Sequence, residues 1–413
     1  MTGSAGIFGS PLACFMRSVC HAASRPSEKS RALILIWLDG APSTIDMWDP
    51  KPNAPDAIRG EFSAIQTSVP GVMFSEHLPK MAGMMDRCTL IRSVHHSIPE
   101  HGPGAQYMLT GHPPSPALVY PSLGSVIARL SDDETSIPPY MAFNNPAAGG
   151  AGYLGSAWNA FELTSGENGL PPGLSLGAEQ DADHFAKRLA LRDAFDRGLG
   201  DLEYDATASG LKRFQKNAVR TLQEDSLRKA LNLSTEPPEI RERYGERSQL
   251  GQDLLRSRRL VEGGSRFVTV GFGGWDTHTD NFTQLRSTLL PQLDAGFAAL
   301  MTDLHERGLL DSTIVCCGGE FGRTPNINGQ AGRDHWSRSF AVLLAGAGLR
   351  PGVVHGATDE SGGEPVNDPR TPSDLFATLL SLLGADHQAA ITTPSGRPVP
   401  LVNDGVPISA IRS

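Results

Sequence analysis

The sequence predicts an α/β protein built on a mixed, mostly parallel sheet sandwiched by helices, and three observations carry that expectation. Apolar runs of strand length recur at residues 32–38, 313–317 and 340–345, continuous as buried strands are and too short for packed helices. Helix-periodic segments alternate with them, the pattern of layered α/β folds. Clusters of Asp, Glu and His stand beside the strands, and open α/β sheets hold ligands at their carboxyl ends.

Taken in order, the run 32–38 enters the loop Asp39-Gly40-Ala41-Pro42-Ser43 as a central strand would. Residues 46–60, rich in Pro and Asp, must be an ordered or exposed loop. Helical patterns follow at 78–85, 105–110 and 123–130, with a strand at 90–94 that leads into His95-His96. The stretch 144–177 is heavy in Gly, Pro, Ala and Asn and reads as a surface excursion or an insertion. From 181 to about 259 the chain is charged and helix-periodic; a helical insertion at about 181–260 and a set of helices covering the sheet are both open. The alternation resumes with a strand at 267–270, a helix at 282–307, strands at 313–317 and 340–345, and a helix at 372–383. We expect one large domain over residues 31–410, preceded by a tail at 1–30.

At 413 residues the chain can bury a large core. Its net charge of −9, without a Lys/Arg run, excludes the usual signature of a nucleic-acid or anionic-membrane partner. Five scattered cysteines make no disulfide framework, and Cys316-Cys317 fall in an apolar run where buried thiols are common. No apolar run reaches the roughly 18 residues of a spanning helix. The first 30 residues carry a modest apolar stretch and a small-residue end, like the latter part of an export signal without its basic start, and a plain N-terminal tail fits equally.

The chemistry concentrates in three loops. Gly318-Gly319-Glu320-Phe321-Gly322-Arg323 is followed by Gly332-Arg333-Asp334-His335-Trp336, Gly274-Trp275-Asp276-Thr277-His278 follows the strand at 267–270, and His96 and His101 follow the strand at 90–94. Side chains two apart in an extended loop share a direction, so Asp276 and His278 can reach one cation. Each residue also has a structural alternative: Glu320 can pair with Arg323 or Arg333, one of His96 and His101 can merely brace its loop, and Asp46 can cap a turn. Asp334 can orient a ligating His335 from behind.

Several segments, among them LILIWLDGAPSTIDMWDP, YMLTG, GWDTHTDNF, GGEFGRTP and GRDHWSRSF, together resemble one bacterial family, the domain of unknown function 1501, abundant in planctomycete-like genomes and placed in the alkaline phosphatase and sulfatase superfamily. The resemblance runs from about residue 31 to 408 and implies that superfamily's fold. It also implies twin-arginine export, although the two arginines are not in this N-terminus. Sulfatases present their nucleophile in the pattern C-x-P-S-R-x-x-x-L-T-G. Laying Leu109-Thr110-Gly111 on it places His101 at the nucleophile and Pro103 at the proline. The metal-binding Asp-His pair of the relatives corresponds to Glu320-Phe321, so the carboxylate is kept and the imidazole replaced. Asp276, His278 and His335 resemble other metal ligands, and Asp39 or Asp46 the carboxylate after the first strand.

The resulting expectation is an exported hydrolase of sulfate, phosphate or related esters, small or polysaccharide, using a metal-bound water. Its metal set is Asp276, His278, Glu320 and His335 with Asp39 and Asp46. His101 and His96 stand at the reaction centre, and Arg323 or Arg333 grips the anion, since a guanidinium fork suits a tetrahedral oxyanion. Mixed His, Asp and Glu ligands suit Zn, Mn or Fe, and a carboxylate-dominated variant Mg or Ca. The alternative is a non-catalytic binding protein at the cell envelope that has kept the fold.

Overall fold

The protein is described by a computed structural model over residues 32–131, 136–144, 146–163 and 225–413. The tail at 1–30, Cys14, Cys20, residues 164–177 and the stretch 181–224 lie outside the described residues.

Eight strands form one sheet: β1 (Ala32–Leu38), β2 (Cys88–Val94), β3 (Tyr140–Phe143), β4 (Phe161–Leu163), β5 (Phe267–Phe272), β6 (Thr313–Gly318), β7 (Phe340–Gly346) and β8 (Val353–His355), in the spatial order β8-β2-β7-β6-β1-β5-β3-β4. Every pairing is parallel except those of β7, which runs opposite to both neighbours, β6 and β2. The sheet is therefore mixed and mostly parallel. The expected strands stand where the apolar runs placed them, extended by one or two residues at several ends. The short strands β3, β4 and β8 were not anticipated, because runs of three or four residues carry too little periodicity to stand out.

β1 shows why the core divides into two layers. Its residues are all buried, and alternate side chains point to opposite faces: Ile34, Ile36 and Leu38 join one cluster, Leu33, Leu35 and Trp37 the other. Among the described residues, five helices of eight residues or more cover the two faces: α1 (His101–Thr110), α2 (Leu123–Leu130), α3 (Gln249–Glu262), α4 (Leu290–Glu306) and α5 (Pro372–Leu382). α3 and α4 deliver Leu254, Leu255, Phe297 and Met301 to the first cluster, and α1, α2 and α5 deliver Leu109, Val126, Phe376 and Leu380 to the second. Each fully buried Leu or Phe contributes about 1.5–3 kcal/mol in water-exclusion terms. In the described part of the charged 181–260 stretch, from residue 225, α3 packs on β5 and α4.

The helix expected at 78–85 is shorter, one α-turn at Pro79–Ala82 and a separate 3₁₀ turn at Met85–Arg87, with the chain leaving helical geometry between them at Met84 (φ −114°, ψ 8°). Strands β1, β2, β5 and β6 all end at the same rim of the sheet. The reversed strand β7 begins there, so the segment just before it, residues 332–339, reaches that rim from the other direction.

Candidate metal centre

Five loops meet at that rim, and two glycines let them approach. A Cβ on Gly40, which sits at φ +109°, would lie 2.5 Å from the Asp276 amide nitrogen, and one on Gly332 would lie 1.9 Å from the His278 carbonyl oxygen. The loops after β1 and before β7 can thus lie directly on the loop after β5.

Asp276 Oδ1 is the point of convergence. Around it stand His278 Nε2 at 3.2 Å, His335 Nε2 at 3.3 Å and His101 Nε2 at 3.4 Å, and the ligand atoms of His101, Asp276 and His335 all lie within 4.8 Å of one another. The second nitrogen of each imidazole is engaged by a group that can only accept. His278 Nδ1 donates to Asp334 Oδ1 at 2.7 Å, His335 Nδ1 to the Pro99 carbonyl at 2.7 Å, and His101 Nδ1 to Glu320 Oε1 at 2.6 Å. These partners assign the tautomers: all three neutral rings turn an Nε2 lone pair inward. His278 Nε2 and His335 Nε2 then face each other 3.0 Å apart, and His101 Nε2 is buried with no hydrogen-bond partner. Lone pairs gathered in this way call for a proton or a cation between them. A ligating histidine that donates its other N–H to a carboxylate or carbonyl is the usual arrangement behind a metal.

The electrostatics agree. Burial pushes the Asp276 carboxyl up, but Arg323, His335 and His101 outweigh it and hold its pKa at about 2. Burial and the neighbouring Arg323 charge lower His335, which keeps its ring neutral. The hydrogen bond to Glu320 raises His101, making it a more basic ligand. The hydrogen bond from His278 holds Asp334 below the usual carboxylate range.

Several sequence expectations are redirected here. Glu320, 1% exposed, accepts from the Gly40 amide at 3.1 Å and from His101, so it orients an imidazole; its Oε2 is buried without a partner. Asp334 orients His278 and not His335, because consecutive side chains at the start of an extended segment point apart. His96 has both ring nitrogens on backbone, Nε2 on the Glu320 carbonyl and Nδ1 on the Ile98 amide, and burial lowers its pKa. It braces the loop, whereas its neighbour His101 enters the cluster.

Asp46 and Arg333 are taken up by each other in a buried two-pronged pair, 2.8 Å on both arms. Ser43 and Asn281 also bond Asp46, and the carbonyls of Ile58, Thr324 and Pro325 take the remaining Arg333 donors. Neither is placed to meet a metal or an anion. Arg323 is likewise engaged throughout, by the carbonyls of Gly40, Ala41, Trp275 and Arg333 and by Asp276. It organises three loops, with its side chain fully buried. Asp39 is exposed and accepts from the Trp37 indole at 3.2 Å, outside the group of three. Phe321, where relatives carry a histidine, stacks on His101 at 5.3 Å.

The family model described as "Protein of unknown function (DUF1501)" matches residues 30–412. The chain belongs to that family. No curated protein matches it. Among solved structures, the chain is similar to the zinc complex of the C-terminal periplasmic domain of EcEptC from Escherichia coli (10% identity, 95% of this chain and 97% of that one, TM-score 0.40). It is also similar to the PsFucS1 sulfatase from Pseudoalteromonas sp. (12%, 87% and 69%, TM-score 0.40) and to a protein of the alkaline phosphatase superfamily from Vibrio parahaemolyticus (12%, 88% and 69%, TM-score 0.38). At such identities the description of the fold rests on the strand order and registers above.

Proposed function

We propose that this member of the family is a metal-dependent hydrolase of sulfate, phosphate or related esters, with His101, Asp276, His278 and His335 as the metal ligands. The observation that carries the reading is the inward turn of three Nε2 lone pairs onto one carboxylate oxygen, each ring fixed by an acceptor behind it. An imidazole-rich set with one carboxylate suits Zn, Mn or Fe better than Mg or Ca, which prefer all-oxygen shells. Such an ion supplies Lewis-acid polarisation of the ester and a more acidic bound water, which removes the need for a hydroxyl nucleophile.

The chain's own residues supply the rest. Arg323 and Asp334 hold Asp276 and His278 in place. Glu320 fixes His101 and keeps the proton on its Nδ1, which leaves Nε2 to ligate. His101 opens α1, so an oxyanion there also meets the positive end of a helix. The Thr110 hydroxyl, by contrast, is bonded to the Gln106 and His112 carbonyls and is not at the centre. Export, implied by the family resemblance, belongs to the same proposal.

The test is metal content of protein purified without chelators or a His tag, compared with an Asp276→Ala/His335→Ala double variant. About one equivalent of a transition metal, lost in the variant and accompanied by turnover of aryl sulfates or phosphates, is the expected result. A protein that binds no metal on titration would sink the proposal and favour the envelope-binding reading.

A further inference from the structure

Two clefts border the centre, and their charges differ. One, of about 720 Å³, is lined by His95, His96, His335, Trp336, Arg338 and Glu364 among others; the other, of about 530 Å³, shares Glu364, adds Asp334 and Asp359, and has neither lysine nor arginine. Trp336 borders both, its indole tied to the Gly363 carbonyl at 2.8 Å. Volumes of this order suit small-molecule sites.

Arg338 differs from the two arginines that the sequence offers for anion binding. Arg333 has every donor on protein acceptors, and Arg323 is fully buried with each guanidinium nitrogen bonded to protein. Arg338 has 61% of its side chain exposed, lies over the Trp336 ring with Cζ 5.3 Å from the centroid, and pairs at its edge with the half-exposed Glu364. An exposed ion pair of this sort is worth little and exchanges readily. Stacking on the indole fixes the guanidinium plane, so less freedom is lost when its fork meets a carboxylate, sulfate or phosphate.

We propose that Arg338 is the specificity residue of the larger cleft, reading a second anionic group on the part of the substrate that lies beyond the scissile ester. The substrate class is then a dianionic ester whose leaving part, of a size to fill the His95–Trp336 cleft, carries a carboxylate, sulfate or phosphate. Glu364 competes for the same fork and excludes neutral ligands from using it. The inference rests on the ester-hydrolase reading for the position of the first anion.

The experiment is calorimetric binding of phenylphosphonate and of 3- and 4-phosphonobenzoate to the protein as purified, in wild type, Arg338→Ala and Glu364→Gln. The better phosphonobenzoate should bind the wild type about tenfold more tightly than phenylphosphonate, as a charge-assisted bidentate contact gives. Arg338→Ala should abolish that preference while leaving phenylphosphonate affinity unchanged, and Glu364→Gln should enlarge it. Equal affinities in the wild type, an equal loss for all ligands in Arg338→Ala, or no binding of any of them would overturn the proposal. Turnover of phenyl phosphate, measured on the same preparations, separates the two claims: turnover without a preference removes the role of Arg338 alone, and absence of turnover with the preference intact removes the hydrolase reading alone.

Discussion

Two Asp–Arg pairs lie at the same rim, and they have opposite characters. Asp46–Arg333 is closed: both side chains are buried, both arms of the guanidinium meet the carboxylate, and every remaining donor and acceptor has a protein partner. Asp276–Arg323 is open on one side. The arginine is buried with each guanidinium nitrogen bonded, but Asp276 is 48% exposed and its Oδ1 faces three imidazole nitrogens. The difference separates structure from chemistry. A satisfied buried pair fixes loops, while a carboxylate pinned by an arginine yet left facing lone pairs has the arrangement that the proposed metal site requires.

The largest expected effect comes from breaking the closed pair. Asp46→Ala strands a buried guanidinium, and loss of one partner of a buried ion pair costs about 3–5 kcal/mol. Denaturant unfolding should show that loss, and metal uptake should fail only because the fold does. An unchanged midpoint would mean that the pair is not the clamp described here. Asp276→Asn should do the reverse, with a far smaller change in midpoint and a loss of metal affinity of at least tenfold in a competition titration. If both variants lose stability alike, the contrast between closed and open pairs disappears.

A smaller effect is expected behind the ligands. Asp334→Asn replaces the charged acceptor of His278 Nδ1 with a weaker amide oxygen, and disturbing such an orienting partner typically costs about 10–100-fold in metal affinity. Pro99 cannot be tested in the same way, because His335 uses its backbone carbonyl. The asymmetry is itself useful: if Asp334→Asn binds metal like the wild type, His278 is not a ligand and the centre reduces to His101, Asp276 and His335.

Much of this was legible in the sequence, and the losses have causes. The central strands stand out because buried parallel strands are continuous apolar runs, as in Ala32–Leu38 and Thr313–Gly318. The convergence of Asp276, His278, His335 and His101 follows from their placement beside strand ends. What the sequence hides is which polar group faces which. Glu320 and Asp276 read alike as carboxylates after strands, yet one accepts from an imidazole Nδ1 and the other meets Nε2. Arg323, Arg333 and Arg338 read alike as cations near the centre, and only contacts show that the first two are consumed by carbonyls and carboxylates. Spacing cannot report that, because partners such as Asp46 and Arg333 are 287 residues apart.

The finest distinction concerns Glu320 and His101, and pH resolves it. Glu320 holds the His101 pKa above the ordinary imidazole value. A folded-state pKa raised above the unfolded one means that folding favours the protonated ring. In metal-free protein this contribution to stability is fully present below the unfolded pKa of about 6.5 and is lost as pH rises through the folded value. Glu320→Gln keeps the shape but weakens the acceptor, so the variant should lose stability chiefly on the acid side and less at high pH, and the His101 Cε1 proton should titrate at lower pH in an NMR experiment. Addition of metal should then suppress the wild-type titration, since a ligating Nε2 cannot be protonated. A His101 signal that titrates identically with and without metal would leave the ring as a free base beside the centre, acting through protons and not through coordination.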